Sequence, residues 1–381
     1  MPYFDNNATT PLDAGARQAL LDAYTESWAN PSSPYRSSAR VRASMLKCRE
    51  LVSSSLGVSP DHMIFTSGAT EANNSVFSRL SRQADRSARV LLSPFEHPSV
   101  SEAAHYWFTD RVDLLSAHPD GTICTEELAN YLKNNPPPSL VSVMAASNES
   151  GVLQPWHEVA NLCREHCVPY HCDSTQLPGK EDLSDLSRCS FNVASAHKFG
   201  GPKGIGWLVG EEAASLLVGG EQEKGRRGGT ENYPAIASAL CAWESKVQVR
   251  VDVHKLSGLR DHFEQQMKNL FPDIKFIGQE SPRLWNTSLF IMPQFENLKW
   301  VGKLDKLGFQ VSTGSACSTT KVGASPIAQA LGLSGADTQR LIRVSSFQSH
   351  TLEDWNGLVS AFQQSYEELA SESSDSSVIS L

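Results

Sequence analysis

The sequence has no apolar run long enough to cross a membrane and no excess of basic charge. No stretch approaches the roughly 18 to 20 consecutive apolar residues of a transmembrane helix, and the opening, MPYFDNNATTPLD, lacks the basic and then apolar regions of a secretory signal. Its 33 Lys and Arg residues are outnumbered by 42 Asp and Glu residues, which disfavours binding to phosphate backbones. We therefore expect a cytoplasmic protein that binds neither membranes nor nucleic acid directly.

Cysteine is also scarce, and its spacing does not suggest disulfides. The 381 residues include eight cysteines at irregular intervals, unlike the dense framework of a small secreted domain. Three cysteines and a histidine lie between residues 163 and 172, but no second cysteine pair accompanies them, so packing is a better interpretation than a metal site. The thiols interpreted as packing are Cys48, Cys124, Cys163, Cys167, Cys172, Cys189 and Cys241.

Short apolar, β-rich runs alternate with helix-length segments through the first two thirds of the chain. Helices are predicted at 13–28 and 38–56, where apolar residues recur every three or four positions. The predicted strands are MIFT, VLLS, VDLL, LVSVMAA, VPYHC, FNVASA and IGWLV. This alternation predicts an α/β fold with a largely parallel sheet.

The remainder of the chain predicts a second, smaller α+β lobe. Residues 233–270 are helical in pattern, and a strand near NTSLFIM is followed by helices at about 297–307 and 351–370. The serine-rich end, 371–381, is predicted to be disordered.

Polar, glycine-bearing segments follow the strands of the first lobe. They are SGATEAN, PFEHPS, SNESG, DSTQ and SAHKFGG. Ligands of open α/β sheets bind outside the carboxyl ends of the strands. We therefore expect these loops to converge on one pocket.

Lys198 follows a strand within ASAHKFGGPKG, so its amine can reach that pocket. A deprotonated lysine can form a Schiff base, and a pyridoxal phosphate (PLP) enzyme also needs an acid facing the pyridine nitrogen, a ring-stacking group and phosphate donors. Asp173 ends a strand and His97 lies in a strand-end loop. The candidate phosphate donors, at a helix start and beside the lysine, are Ala69, Thr70, Ser195 and His197.

One cysteine lies in a segment that does not resemble a core element. Residues 312–320 read STGSACSTT, so Cys317 is surrounded by glycine, alanine and small hydroxyl residues. Such residues favour an accessible loop, and the thiolate form of cysteine is nucleophilic. The position of this thiol therefore suggests a chemical role.

In order along the chain, these motifs resemble those of one enzyme family. They are YFDNNATTP, SGATEAN, EHPSV, SNESGVLQP, DSTQLPGK, SAHKFGGPKGIG, GRRGGTEN, GSACST and IRVS. The sequence resembles the NifS- and IscS-type cysteine desulfurases, which are PLP-dependent members of the class V aminotransferase family. The resemblance implies the aspartate aminotransferase-like fold (fold type I), with a large PLP-binding domain at 13–245. Residues 1–12 and 246–370 would form a small domain that carries the cysteine loop.

The resemblance also implies roles for residues around the cofactor. Lys198 would hold PLP and move protons at the substrate's α-carbon, and Asp173 would pair with the pyridine nitrogen. His97 would stack on the ring and assist proton transfer, and Gln176 would contact the ring's phenolic oxygen. The cofactor's phosphate would be held by Ala69, Thr70, Ser195 and His197.

Three further residues are assigned by the same resemblance. Arg343 would bind the substrate carboxylate, for which its planar fork is suited, and Asn148 would lie beside that carboxylate and the phenolic oxygen. Thr230 would reach the phosphate from a second subunit, which implies a homodimer.

The implied reaction converts L-cysteine to L-alanine and leaves the sulfur on Cys317 as a persulfide. A sulfur-acceptor protein, which the sequence does not identify, would then receive it for iron-sulfur cluster assembly or tRNA thiolation. Three alternatives remain open: a selenocysteine lyase, an aminotransferase of the same fold, and a non-catalytic binding protein that uses the cysteines at 163–172 for metal.

Overall fold

The computed structural model describes residues 2–249, 251–314 and 325–378. The strands are β1 (Met63–Thr66), β2 (Val90–Leu92), β3 (Val112–Leu114), β4 (Leu140–Ser142), β5 (Tyr170–Asp173), β6 (Phe191–Ser195), β7 (Gly206–Val209), β8 (Lys275–Ile277), β9 (Thr287–Ile291) and β10 (Leu341–Ser345). The helices are α1 (Ala14–Glu26), α2 (Arg36–Ser55), α3 (Ala69–Gln83), α4 (Pro98–Phe108), α5 (Thr125–Asn134), α6 (Trp156–Glu165), α7 (Tyr233–Lys246), α8 (Val253–Leu270), α9 (Asn297–Lys306), α10 (Pro326–Ala330), α11 (Gly335–Thr338) and α12 (Leu352–Val378).

The last helix differs from its predicted length. It continues to Val378, past the end predicted at residue 370, so residues 371–378 are helical where a disordered tail was expected. Across the ranges that the structure describes, no helix combines the length and apolar character needed to cross a membrane.

Seven strands form the large sheet, in the order β1-β7-β6-β5-β4-β2-β3. The pairs among β2, β3, β4, β5 and β6 are parallel, whereas β7 runs antiparallel to both of its neighbours. The predicted α/β class with a mostly parallel sheet is therefore confirmed. Because β2, β4, β5 and β6 end at the same edge, the polar loops that follow them are brought together.

Helices cover both faces of this sheet. Side chains alternate in direction along each strand, and apolar side chains on both faces need a covering layer. In β7, Leu208 packs into an apolar cluster with α3 and α4, whereas Trp207 and Val209 belong to a separate cluster with α2 and α7. Burial of one such large side chain contributes about 1.5–3 kcal/mol. The sheet is thereby fixed between two helical layers.

The smaller domain is built on an antiparallel sheet in the order β10-β9-β8. Helices α8, α9 and α12 pack with it around an aromatic core. The ring of Phe263 lies 5.1 Å from that of Trp355 and 6.1 Å from that of Phe290, measured between centroids. The predicted smaller α+β domain is present.

The amino-terminal segment contacts both domains. Asp5 forms a parallel bridge with Ser345 of β10, and the Thr10 N–H donates a hydrogen bond to the carbonyl of His197 in the large domain, at 2.8 Å. The segment therefore crosses the junction between the two sheets.

Candidate active site

A cavity of about 580 Å³ opens at the strand-end loops of the large sheet, and Arg343 of β10 forms part of its wall. Ten predicted site residues line it: Ala69, Thr70, His97, Asn148, Asp173, Gln176, Ser195, His197, Lys198 and Arg343. Thr230 is exposed in the loop before α7 and is not part of the lining. Cys317 lies outside the described residues.

Lys198 ends a single 3-10 turn, Ala196–Lys198, that directly follows β6. Its Nζ donates hydrogen bonds to the carbonyl oxygens of Asn7 and Ala8, at 2.6 and 2.9 Å. The amine is therefore fixed at the cavity wall by the backbone of the amino-terminal segment.

Asp173, the last residue of β5, is held by two hydrogen bonds. Its Oδ1 accepts from the Thr175 N–H at 3.0 Å, and its Oδ2 accepts from Asn73 Nδ2 at 3.1 Å. Asn73 Oδ1 in turn lies 3.0 Å from Nε2 of His171, whose Nδ1 lies 2.8 Å from the Ser142 hydroxyl. Burial lowers the pKa of His171 to about 4, so the neutral ring donates to Asn73 and orients it. No motif in the sequence indicates this network.

His97 caps the start of α4, where its Nδ1 accepts a hydrogen bond from the Ser99 N–H at 3.1 Å. Burial lowers the pKa of His97 below its usual value, an effect that Asp173 opposes and Lys198 strengthens. The imidazole is therefore neutral near pH 7, and its proton is on Nε2 because Nδ1 is an acceptor.

The start of α3 is shaped to approach an anion closely. Gly68 precedes Ala69 with a φ of 150°, and the helix start presents free backbone N–H groups. On the neighbouring strand, a Cβ added to Gly206 would lie 2.8 Å from the Cα of Gly68 and 2.4 Å from the carbonyl oxygen of Ala194. Only glycine fits there, and the Ser195 side chain borders the same cradle.

His197 lies in the same 3-10 turn, directly before Lys198. Its Nδ1 lies 3.1 Å from the Thr9 hydroxyl. Burial, followed by the charges of Lys198 and Lys203, lowers the pKa of His197 to about 4. A neutral imidazole at this position can donate a hydrogen bond without adding charge.

Arg343 projects from the smaller domain into the cavity and is almost fully buried. Its Nη2 donates to Asp5 Oδ1 at 2.5 Å, and its Nη1 donates to the Asn148 carbonyl at 3.0 Å. Its buried Nε has no hydrogen-bond partner within the described residues. The guanidinium has five N–H donors, and the two bonds described here leave one N–H on each Nη nitrogen.

The Aminotransferase class-V family matches residues 2–356 of the chain. The chain belongs to the class-V aminotransferases. A cysteine desulfurase of Nostoc sp. is 32% identical over 350 residues, which cover 90% of this chain and 87% of that protein. The cysteine desulfurase NifS of Azotobacter vinelandii is 32% identical over 362 residues, covering 92% and 89%. The resemblance to NifS-type enzymes predicted from the motifs is confirmed.

Solved structures agree with this class-V assignment. A NifS-like protein superposes with a TM-score of 0.87 at 29% identity, covering 96% of this chain and 99% of that one. SspA in complex with cysteine gives a TM-score of 0.79 at 26% identity, covering 91% and 99%. The predicted fold type I is therefore confirmed.

Asn7 is a site residue that the sequence analysis of this class-V chain did not assign. Its carbonyl accepts from Lys198 Nζ and, at 3.1 Å, from Gln176 Nε2, while its Nδ2 donates to Thr287 Oγ1 at 2.9 Å. The available signal was the motif YFDNNATTP, which contains Asn7. It is one of the motifs that carry the family resemblance, but none of its residues was given a role.

Lys180 is a second residue without a predicted role. It is buried, and its Nζ donates to Gln176 Oε1 at 2.8 Å. Burial, followed by the charges of Lys198 and Arg343, lowers the pKa of Lys180 to about 7. This lysine fixes the Gln176 amide so that its Nε2, rather than its oxygen, is the group left for the cavity.

Glu149 lies where the cysteine loop leaves and rejoins the described structure. Its Oε2 accepts a hydrogen bond from Ser325, and a Cβ on Gly314 would lie 3.7 Å from the same oxygen. Pro326 and Glu149 both line the cavity. The residues that flank 315–324, Gly314 and Ser325, thus both lie next to Glu149 of the cavity wall.

The packing interpretation of the other cysteines is confirmed for Cys48, Cys163 and Cys172, which are buried in the larger core. Cys167 is exposed, and Cys124, Cys189 and Cys241 are half-buried. Cys189 and Cys241 pack against that core, whereas Cys124 does not, and the packing interpretation is wrong for the exposed Cys167.

Proposed function

We propose that this protein is a PLP-dependent cysteine desulfurase that converts L-cysteine to L-alanine and transfers the sulfur to Cys317 as a persulfide. The observation that carries the proposal is the convergence of Lys198, Asp173 and His97 on a cavity that also contains Arg343 from the smaller domain. The cysteine desulfurase names of the relatives support the same reaction.

The chemistry of the cavity fits PLP. Asp173 offers a buried carboxylate for the pyridine nitrogen, and Lys198 offers an amine for the aldehyde. The start of α3, with Ser195 and His197, offers neutral donors for the phosphate. When bound, PLP supplies an electron sink that acidifies the substrate's α-carbon.

Arg343 and Asn148 would orient the substrate. The Arg343 guanidinium is already braced by Asp5 and by the Asn148 carbonyl, so little side-chain freedom is lost when a carboxylate binds to the remaining N–H groups of Nη1 and Nη2. One charge-assisted hydrogen bond contributes about 1.5–3 kcal/mol.

Protons would move through two side chains. Lys198 Nζ can take a proton from the substrate's α-carbon, because the carbonyls of Asn7 and Ala8 accept hydrogen bonds from its ammonium form. His97 carries its proton on Nε2, since Nδ1 accepts from Ser99. It can therefore donate that proton into the cavity and recover it later.

Cys317 would accept the sulfur. Its thiolate Sγ forms a bond to the substrate sulfur while the substrate's Cβ–S bond breaks, and the electron pair of that bond stays with the carbon skeleton. Alanine leaves after protonation, and a reducing thiol or acceptor protein removes the outer sulfur from the persulfide. The position of Pro326 in the cavity wall, and of Gly314 beside Glu149 of that wall, supports this assignment.

The homodimer is part of the same proposal. Thr230 is exposed and is not part of the lining of its own cavity, and Val218 in the preceding part of the same loop is 92% exposed. Both observations support a loop that contributes to a neighbouring subunit. The identity of the acceptor, in cluster assembly or tRNA thiolation, and the cytoplasmic location stay predictions.

The reaction is tested by incubating the purified protein with L-cysteine and dithiothreitol and measuring alanine and sulfide. We expect equal amounts of both products from the wild type, and a loss of at least about 100-fold in Lys198→Ala and Cys317→Ser. Cys167→Ser is the matched control, because Cys167 is an exposed thiol outside the cavity.

Other outcomes would identify the alternatives. Unchanged alanine formation by Cys317→Ser would contradict persulfide transfer, and amino-group exchange with an α-keto acid would indicate an aminotransferase. A kcat/KM for selenocysteine that far exceeds the value for cysteine would indicate a lyase.

A further inference from the structure

Three side chains with metal-binding groups lie together outside the active-site cavity. The ligand atoms of His118, Cys124 and Glu126 all lie within 4.8 Å of one another. Cys124 Sγ is 3.4 Å from Glu126 Oε2, and His118 Nε2 is 3.9 Å from the same oxygen. None of the three lines the active-site cavity.

The backbone already holds these residues in place. His118 lies on a tight turn, where its N–H donates to the Thr122 carbonyl at 2.8 Å, and the Cys124 N–H donates across the turn to the Ser116 carbonyl at 2.9 Å. Glu126 lies in the first turn of α5. Because the backbone is fixed, only side-chain torsions would have to be ordered when a ligand binds.

Neither packing nor helix capping accounts for the Cys124 thiol. Cys124 is the N-cap of α5 but its side chain makes no capping hydrogen bond, although serine or aspartate at this position would make one. The thiol instead donates to Glu126. Backbone and Cys124 hydrogen bonds lower the pKa of Glu126, so this carboxylate is charged at neutral pH.

We propose that His118, Cys124 and Glu126 bind a divalent zinc ion, with water as the fourth ligand. Imidazole, thiolate and carboxylate are the donors that zinc takes, and this set does not suit magnesium or calcium. Tetrahedral zinc places such donors about 3.3–3.6 Å apart, so the observed separations, at most 4.8 Å, would have to shorten by up to roughly 1.3 Å. The inference does not depend on the proposed function.

A zinc ion can reach the three side chains from solvent. The side chain of His118 is 46% exposed and that of Glu126 is 80% exposed. Binding forms a metal–sulfur bond and breaks the S–H bond of Cys124, and the proton is released to solvent.

The test uses the full-length holoenzyme with Cys317→Ser, so that the catalytic thiol cannot bind metal. The protein is dialysed against buffered Zn²⁺, and zinc per chain is counted. We expect one bound zinc, and an affinity that falls in Cys124→Ser by more than the about 10–100-fold cost of losing an outer-shell partner. Cys167→Ser is the matched control and should bind zinc as tightly as the parent. Co²⁺ should give a thiolate-to-metal charge-transfer band that Cys124→Ser lacks.

Equal zinc affinity in Cys124→Ser and Cys167→Ser would overturn the proposal. If the Tm of Cys124→Ser shows that it is unfolded, His118→Asn replaces it, and undiminished zinc binding by that variant has the same meaning.

Discussion

The carboxylate of Asp173 depends on side chains that are remote in sequence. Asn73 of α3 and His171 of β5 meet only because α3 packs on the sheet, and together they fix the orientation of Asp173. A residue in such a network has no local motif, which explains why sequence patterns identified Asp173 and not its supports. The residues that the motifs did single out, such as Lys198 and His97, line the cavity themselves.

Replacing Asn73 by alanine tests this support. The change leaves the buried Nε2–H of His171 and one oxygen of Asp173 without partners, which costs about 1–3 kcal/mol of the free energy of unfolding. Urea denaturation of the protein without cofactor measures it. Asn134→Ala, on the exposed surface of α5, should change stability by less than about 0.5 kcal/mol; equal effects would contradict the network.

Lys180 predicts a pH dependence of stability. Its folded pKa of about 7 is below the unfolded value of about 10.4, so the unfolded chain binds more protons between these pH values and the wild type becomes more stable as pH rises. Lys180→Met removes this dependence. From pH 7 to 10 we expect the unfolding free energy of the wild type to increase by up to about 4 kcal/mol relative to that of the variant.

Chemical denaturation at several pH values measures that difference. Lys133→Met, at an exposed position of α5, should show the same pH dependence of unfolding free energy as the wild type. If the difference in unfolding free energy between the wild type and Lys180→Met did not change with pH, the lysine would be charged in both the folded and the unfolded state.

At the scale of elements, the strands, their order along the chain and a largely parallel sheet were predictable. The antiparallel direction of β7 was not. Apolar runs such as FNVASA and IGWLV indicate buried strands, yet nothing in them states that β7 runs antiparallel to β6. That direction is set by the short connection through Lys198 and by the close contact of Gly206 with Gly68.

Gly206→Ala tests the contact between β7 and the start of α3. Because the added Cβ would meet backbone atoms at 2.4 and 2.8 Å, we expect a loss of about 1–3 kcal/mol in unfolding free energy and weaker binding of inorganic phosphate, measured by calorimetry. Gly302→Ala in α9 is the control, since nothing lies within 4 Å of its added Cβ and alanine favours a helix by about 1 kcal/mol. Equal phosphate affinity in Gly206→Ala and the wild type would contradict the proposal that the contact between Gly206 and Gly68 shapes the phosphate site.

For the whole molecule, composition and alternation were sufficient to predict a two-domain α/β protein. They could not show how the amino-terminal segment joins the domains, because the contacts of Asp5 with β10 and of Thr10 with His197 connect residues far apart in sequence. The proposed contribution of Thr230 to a second subunit would likewise be a property of the assembly.

Mixed dimers test that assembly. When Lys198→Ala and Thr230→Val chains exchange subunits at limiting PLP, a hybrid dimer contains one site with both residues intact. Random mixing makes half of the dimers hybrid, so we expect about a quarter of the wild-type activity, above that of either parent. No gain on mixing would place Thr230 in the site of its own chain.

The ammonium of Lys198 is held by carbonyl oxygens of residues 7 and 8, groups that every amino acid supplies. A complete set of side-chain substitutions at Ala8 would therefore preserve that acceptor, and alanine scanning would assign the position no importance. Only a change to the main chain itself, such as an ester in place of an amide or a deletion that shifts the segment, would reveal how firmly the amine is tethered.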